Sequence, residues 1–143
     1  MTKAIIIYQS KSGTTKYFGH NIGEYLKSKG IDNSVKSIHD IEPKQVSKYD
    51  IVLLGCWTQG LFIALQHPEK EWVNFTSRIP ELKNKKIGLF TTYKLATGSM
   101  FRKMESPILS KTDRIDLVLK SRSEELNDVH KTQLDQFIES VIN

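Results

Sequence analysis

Cysteine is all but missing from this chain. Cys56 is the only one in 143 residues, which excludes an internal disulfide and any metal site built on paired cysteines. Long apolar runs are missing too: none approaches the roughly 20 residues that span a bilayer. Met1-Thr2-Lys3 leads into a short apolar segment with neither the core nor the cleavage site of a secretory signal. A cytoplasmic protein is expected. Histidine is scarce, and His20, His39, His67 and His130 fall on separate segments without ligand spacing, so surface or capping roles and no metal are expected of them. Zinc-finger spacing and the aromatic signature of an RNA-binding sheet are both lacking. The basic excess, 21 Lys and Arg against 16 Asp and Glu for a formal charge of +5, is scattered along the chain with no basic tail. It suits an acidic protein partner or an anionic small molecule, and no nucleic acid is expected.

What is present is an alternation of two patterns. Ala4-Ile5-Ile6-Ile7-Tyr8, Ile51-Val52-Leu53-Leu54-Gly55 and Lys86 to Thr92 are apolar runs of strand length, as expected of parallel strands covered on both faces. Asn33 to Ile38 alternates weakly and is expected as a short edge strand, with Ile115-Asp116-Leu117-Val118-Leu119 as the fifth strand. Between the first two, Phe18, Ile22, Tyr25 and Leu26 recur at helical spacing over Thr14 to Lys29, and Lys27, Lys29 and Gly30 supply a basic last turn and a terminal glycine. Pro43 opens a brief turn, and Pro68 a helix whose Trp72 and Phe75 share a core-facing side. A helix carrying Phe101 and Met104 inward runs until Pro107, and a last one, about Glu124 to Ile142, aligns Val129, Leu134, Phe137, Ile138 and Val141.

Five strands separated by helices require right-handed crossovers, hence an α/β fold with a doubly wound five-stranded parallel sheet. Residues 1–143 read as one domain without linker or repeat. Such sheets bind ligands beyond the carboxyl ends of their strands, where the order reverses. With strand order 2-1-3-4-5, that place lies between strands one and three.

Both strands end in distinctive loops. The first, Ser10-Lys11-Ser12-Gly13-Thr14-Thr15, offers four hydroxyls, a glycine that lets the backbone come close, and the N–H groups of the following helix. Helix capping alone also favours Ser and Thr, but four hydroxyl residues around one glycine exceed that need, and phosphate binding is expected. The second runs from Cys56 to Gln66. In it Trp57 serves either as a ligand wall or as a core residue pinning the loop, and Leu61-Phe62-Ile63-Ala64-Leu65 either lines a pocket or packs on the sheet. Cys56 has Phe62 six residues on, where a tyrosine phosphatase needs arginine, and reads as a small loop or core residue. Gln9-Ser10 and Gly55-Cys56 stand where a phosphoacceptor domain needs acids, and the Gly-x-x-x-x-Gly-Lys-Ser/Thr run of a P-loop is absent.

Over its whole length the chain resembles the short-chain flavodoxins, a family that itself exemplifies the switch-point rule, with FMN between strands one and three. Ser10 to Thr15 is similar to the family's Ser/Thr-x-Ser/Thr-Gly-x-Thr phosphate loop. The resemblance implies that Ser10, Ser12, Gly13, Thr14 and Thr15 hold the FMN phosphate and that Lys11 lends its backbone N–H. Gly55-Cys56-Trp57-Thr58-Gln59 resembles the second flavin loop, with Gly55 and Thr58 in place, the aromatic two places early, and Gln59 where the aromatic commonly stands. Cys56, Trp57, Thr58 and Gln59 are the implied contacts there, Trp57 being the stacking platform. Thr91-Thr92-Tyr93-Lys94-Leu95-Ala96-Thr97-Gly98 occupies the third loop and lacks its Gly-Asp pair. Thr92, Tyr93 and Gly98 are the implied contacts, with Tyr93 as the second wall.

FMN carries one or two electrons while the protein supplies binding, orientation and electrostatics. The resemblance therefore implies an electron-transfer protein shuttling between a flavin reductase and an acceptor enzyme, in keeping with the lack of a general acid, nucleophile or metal triad in these loops. The alternative is an FMN-dependent oxidoreductase acting on a small quinone- or tetrapyrrole-like molecule; a module that has lost FMN comes third. Lys11, Lys16, Lys94, Arg102 and Lys103 ring the expected site, where family members are usually acidic. This rim is expected to dock acidic redox partners and to favour the reduced flavin anion.

Overall fold

A computed structural model of the chain describes residues 2–58 and 66–142. β1 (Lys3–Gln9) and β3 (Ile51–Trp57) lie side by side at the centre of one sheet. Their Ile, Val and Leu runs leave no face for water, and Ile5, Ile6, Ile7, Ile51, Val52 and Leu54 are wholly buried. The more polar β2 (Asp32–Ser37) takes the edge beside β1, while β4 (Lys86–Thr92) and β5 (Leu117–Ser121) extend the other side. The order is β2-β1-β3-β4-β5, with every neighbouring pair parallel.

Each face of the sheet carries its own core. On one, α1 (Thr14–Ser28) and α4 (Asp128–Ile142) press Phe18, Ile22, Leu26, Leu134 and Phe137 onto Ile6, Leu53 and Phe90. On the other, α2 (Lys70–Ser77) and α3 (Met100–Glu105) bring Trp72, Phe75, Met100 and Met104 onto Ile5, Ile7, Leu54 and Leu89. Short 3-10 turns at Pro43–Lys48 and Ser106–Ile108 add Val46 and Ile108 to that second core. α1 stops where Gly30, at φ 85°, enters the left-handed region; its N–H donates to the Lys27 carbonyl and that of Ile31 to the Leu26 carbonyl, closing the turn. Within β3, Gly55 lies under the Phe90 ring so closely that an added Cβ would stand 2.1 Å from Cε2.

Three expected boundaries move, and one helix face differs. β3 runs two residues past Gly55, because Cys56 pairs with Gln9 and Thr91 and Trp57 with Thr92, so Cys56 belongs to a strand and not to the loop. β5 begins at Leu117 instead of Ile115: the Asp116 carboxylate accepts the Ile87 N–H and pairs with Arg114, fixing the strand start. α4 begins at Asp128 instead of Glu124, since Asn127 caps it: its Oδ1 accepts the His130 N–H while its own N–H donates to His130 Nδ1. That register turns Val129 outward, 66% exposed, and puts His130 inside in its place. In α3, Met100 and Met104 are the buried pair and Phe101 only flanks the core.

Candidate functional site

The carboxyl edge of the sheet gathers three of the segments singled out in the sequence. β1 delivers the turn from Ser10, β3 ends at Trp57 and β4 at Thr92, all level because Gln9 pairs with Cys56 and Trp57 with Thr92. The turn is built by two features. Gly13 sits at φ 99°, a left-handed conformation that glycine adopts without strain, and Ser10 Oγ accepts its N–H at 3.0 Å. Gly13 is also the residue before α1, which carries no side-chain cap hydrogen bond and no acidic residue in its first turn. The hydroxyls of the turn are therefore not spent on capping, and α1 presents first-turn N–H groups and its positive dipole end with Ser12 exposed beside them. This donor set fits a phosphate.

The Thr15 hydroxyl is turned to the sheet. The residue is 1% exposed, and its hydroxyl shares a hydrogen bond of 2.6 Å with that of Thr92, 77 residues away. The start of α1 is thereby tied to the end of β4. A second hydroxyl pair, Thr58 with Thr91 at 2.8 Å, and the Thr58 N–H donating to the Thr92 carbonyl at 2.8 Å tie the end of β3 to the same strand. Thr91 further donates to the Cys56 carbonyl at 2.6 Å. Buried hydroxyls that satisfy one another in this way hold strand ends rigidly in register.

Trp57 is partly buried and lies across the switch point from the turn, with Lys11 Nζ 5.1 Å from its ring centroid. Its indole N–H is buried and has no acceptor among the described residues. The Cys56 side chain is buried in the core with Ile5, Ile7 and Trp72, its Sγ donating to the Trp57 carbonyl at 3.4 Å. Burial pushes its thiol up to about 12, with a Glu69 backbone hydrogen bond pulling the other way. Any contribution of Cys56 to a ligand thus comes from its backbone. Tyr93 is half-buried after β4, its N–H donating to the Ser121 carbonyl, and Gly98 takes φ 50° in the loop that follows. Gln59 and the apolar stretch Leu61 to Leu65 lie outside the described residues.

One neighbour escapes any local sequence pattern. Arg122, immediately after β5, places its guanidinium carbon 5.4 Å from the Tyr93 ring centroid and donates to the Leu95 carbonyl at 3.4 Å. Only the adjacency of β4 and β5 brings it there. Of the basic rim, Lys11, Lys16, Lys94 and Arg102 are exposed, and Lys103 donates to the Gln66 carbonyl at 2.8 Å. Two clefts of about 290 and 330 Å³ open at the opposite edge and share Lys86 and Arg114. The charges there serve the start of β5, as Arg114 Nε donates to Asp116 at 2.8 Å, so the carboxyl edge is the better candidate.

Fold and edge together define an open doubly wound protein whose switch point carries a turn with a donor set that fits a phosphate. Residues 5–116 match the model of the flavodoxin domain. The flavodoxin of Megasphaera elsdenii is 33% identical over 95 residues, 65% of this chain and 66% of that protein. That of Clostridium beijerinckii is 27% identical over 101 residues, covering 70% and 71%. The solution structure of the two-electron reduced Megasphaera elsdenii flavodoxin superposes with a TM-score of 0.78 at 22% identity, over 96% of this chain and 98% of that one. A short-chain flavodoxin associated with a bacterial microcompartment gives 0.75 at 14% identity, over 99% and 97%. The chain belongs to the flavodoxin family, whose cofactor is FMN.

Proposed function

We propose that this chain is an FMN-dependent electron carrier, passing electrons between a flavin reductase and an acceptor enzyme. The observation that carries the reading is the turn at Gly13. A left-handed glycine, a helix start without a side-chain cap, the exposed Ser12 and the half-buried Ser10 and Thr14 stand at the switch point beside β3. In this reading Ser10, Ser12, Thr14 and the first amides of α1 hold the phosphate, while Thr15 and Thr92 lock the turn to the sheet. Trp57 and Tyr93 wall the isoalloxazine and keep water from it, and the backbone at Cys56, Thr58 and Gly98 lines its edge. FMN supplies the redox chemistry.

The exposed lysines and arginines around this edge favour an acidic docking surface on the redox partner, with association that weakens as salt rises. No helix among the described residues is long and apolar enough to cross a membrane, and we place the carrier in the cytoplasm as a single domain. Protein purified without added flavin should be yellow, and extraction should release FMN identified by mass. Deflavinated protein should then take up FMN at micromolar levels or below by calorimetry, and riboflavin far more weakly. Absence of uptake refutes the proposal. A carrier cycles only with protein donors and acceptors, so saturable turnover of a small quinone with a chemical reductant would point to an oxidoreductase.

A further inference from the structure

The two aromatic side chains read as flavin walls, Trp57 and Tyr93, each carry a cation against the ring. Lys11 Nζ lies 5.1 Å from the Trp57 centroid and Arg122 Cζ 5.4 Å from that of Tyr93. The two cations come from opposite sides of the edge, one after β1 and the other after β5. Resting on a ring localises a flexible cationic side chain, which otherwise sweeps through solvent. Neither cation is in an ion pair among the described residues, whose ion pairs involve Lys29, His39, Lys44 and Arg114. Two positive charges with no ion-pair partner among the described residues thus rest on these two rings.

We propose that Lys11 and Arg122 set the redox preference of this site, making it bind the fully reduced flavin anion more tightly relative to oxidised FMN than an uncharged pair would. The proposal rests on the FMN reading above. Two electrons from a chemical reductant such as dithionite and one proton from solvent turn the neutral oxidised ring system into one with a single negative charge. A fixed cation beside the ring acts on that added charge, the more strongly where walls exclude water. Attraction between Lys11 and the phosphate is present in both redox states and cancels in the ratio of affinities. Arg122 has a positioning role as well: its hold on the Tyr93 ring and the Leu95 carbonyl ties the loop after β4 to the end of β5.

The test is the midpoint potential of the holoprotein, with dissociation constants for oxidised and dithionite-reduced FMN, in wild type, K11Q, R122Q, K11R, R122K and K94Q. Each glutamine substitution at Lys11 or Arg122 should change the ratio of the two dissociation constants about tenfold, lowering the two-electron midpoint by about 30 mV. K11R and R122K should keep the wild-type midpoint, because the charge remains. K94Q removes an equally exposed charge that lies on no ring and should move the midpoint less. In cofactor-free protein, K11Q should shift tryptophan emission, reporting the lost contact with Trp57. The proposal is overturned if K11Q and R122Q bind FMN with an unchanged ratio, or if K94Q shifts it as far, since diffuse net charge would then suffice. Wild type that takes up no FMN overturns the parent reading too, and is recognised before any variant is compared.

Discussion

Gly55 and Gly19 touch the same phenylalanine, and alanine at the two positions should act in opposite directions. At Gly55 a Cβ would stand 2.1 Å from Phe90 Cε2 and 2.2 Å from Cζ, whereas ordinary contact begins at 3.4 Å. The ring must retreat, but it is 1% exposed and already packed against Phe18 at a centroid distance of 6.0 Å. Overpacking a filled core costs about 1–3 kcal/mol, against which the smaller entropy of the unfolded alanine chain returns about 0.4–1 kcal/mol. At Gly19 the Cβ would meet Phe90 Cζ at 3.5 Å and Ile6 Cγ2 at 3.6 Å, ordinary contacts. There alanine removes a mid-helix glycine, a gain of about 0.8–1 kcal/mol.

Urea unfolding followed by circular dichroism is the assay, with stability read from the midpoint at constant slope. G55A should lose about 1–2 kcal/mol net and about 4–8 °C of melting temperature, at roughly 4 °C per kcal/mol for a chain of this length. G19A should gain up to about 1 kcal/mol. If the ring is the cause, F90L should shrink the penalty of G55A, giving a coupling of about 1 kcal/mol or more in a double-mutant cycle. Equal midpoints for G55A and wild type, or a penalty that F90L leaves untouched, would refute the clash as the reason for glycine at this position.

Removing one hydroxyl of the buried Thr15–Thr92 pair leaves the other without a partner, so T15V and T92V should each cost about 1–3 kcal/mol and the double variant less than their sum, checked by the same unfolding curves. The Cys56 thiol, held up to about 12 by burial, should resist a disulfide reagent at pH 8 until urea unfolds the chain. Because the unfolded thiol ionises near 9.0 while the folded one stays protonated, the thiol lowers stability progressively from about pH 9 to about pH 12. The slope is at most about 1.4 kcal/mol per pH unit and C56A should abolish it. N127A removes the cap of α4 and should cost about 1 kcal/mol, with faster amide exchange in the first turn of that helix.

The central strands were legible because full burial on two faces demands apolar residues at every position, and Ile5 to Ile7, Val52 to Leu54 and Ile87 to Leu89 carry almost nothing else. Crossover handedness implied a parallel sheet, the order 2-1-3-4-5 came with the resemblance to the flavodoxins, and the switch point followed from that order. The start of β5 was not legible: Ile115 to Leu119 is as apolar as Leu117 to Ser121, and only the long-range bond from the Ile87 N–H to Asp116 chooses between them. The start of α4 turned on the reciprocal bonds of Asn127 and His130, a histidine standing where a carboxamide or carboxylate is the usual capping partner. Arg122 and the Thr15–Thr92 bond lay beyond reach for the same reason. Each joins segments that are neighbours only once β4 is seated between β3 and β5.

The hydroxyls of the turn make clear how one short segment serves both fold and ligand. Ser10 Oγ accepts the Gly13 N–H, yet an accepting hydroxyl keeps its own proton, so the bond that shapes the turn still leaves a donor for an anion. Thr15 and Thr92 share a single bond between two hydroxyls, both buried, and their contribution is to the position of α1. On the proposed reading, recognition of a dianion falls on Ser10, Ser12, Thr14 and the α1 amides, while the Lys11 ammonium lies over Trp57. Neutral donors on a rigid turn bind phosphate without a lysine beside it, because their N–H and O–H dipoles are already aligned and need not be reorganised. On the proposed reading the Lys11 charge is therefore not needed to hold the phosphate, and its differential effect between redox states falls on the ring.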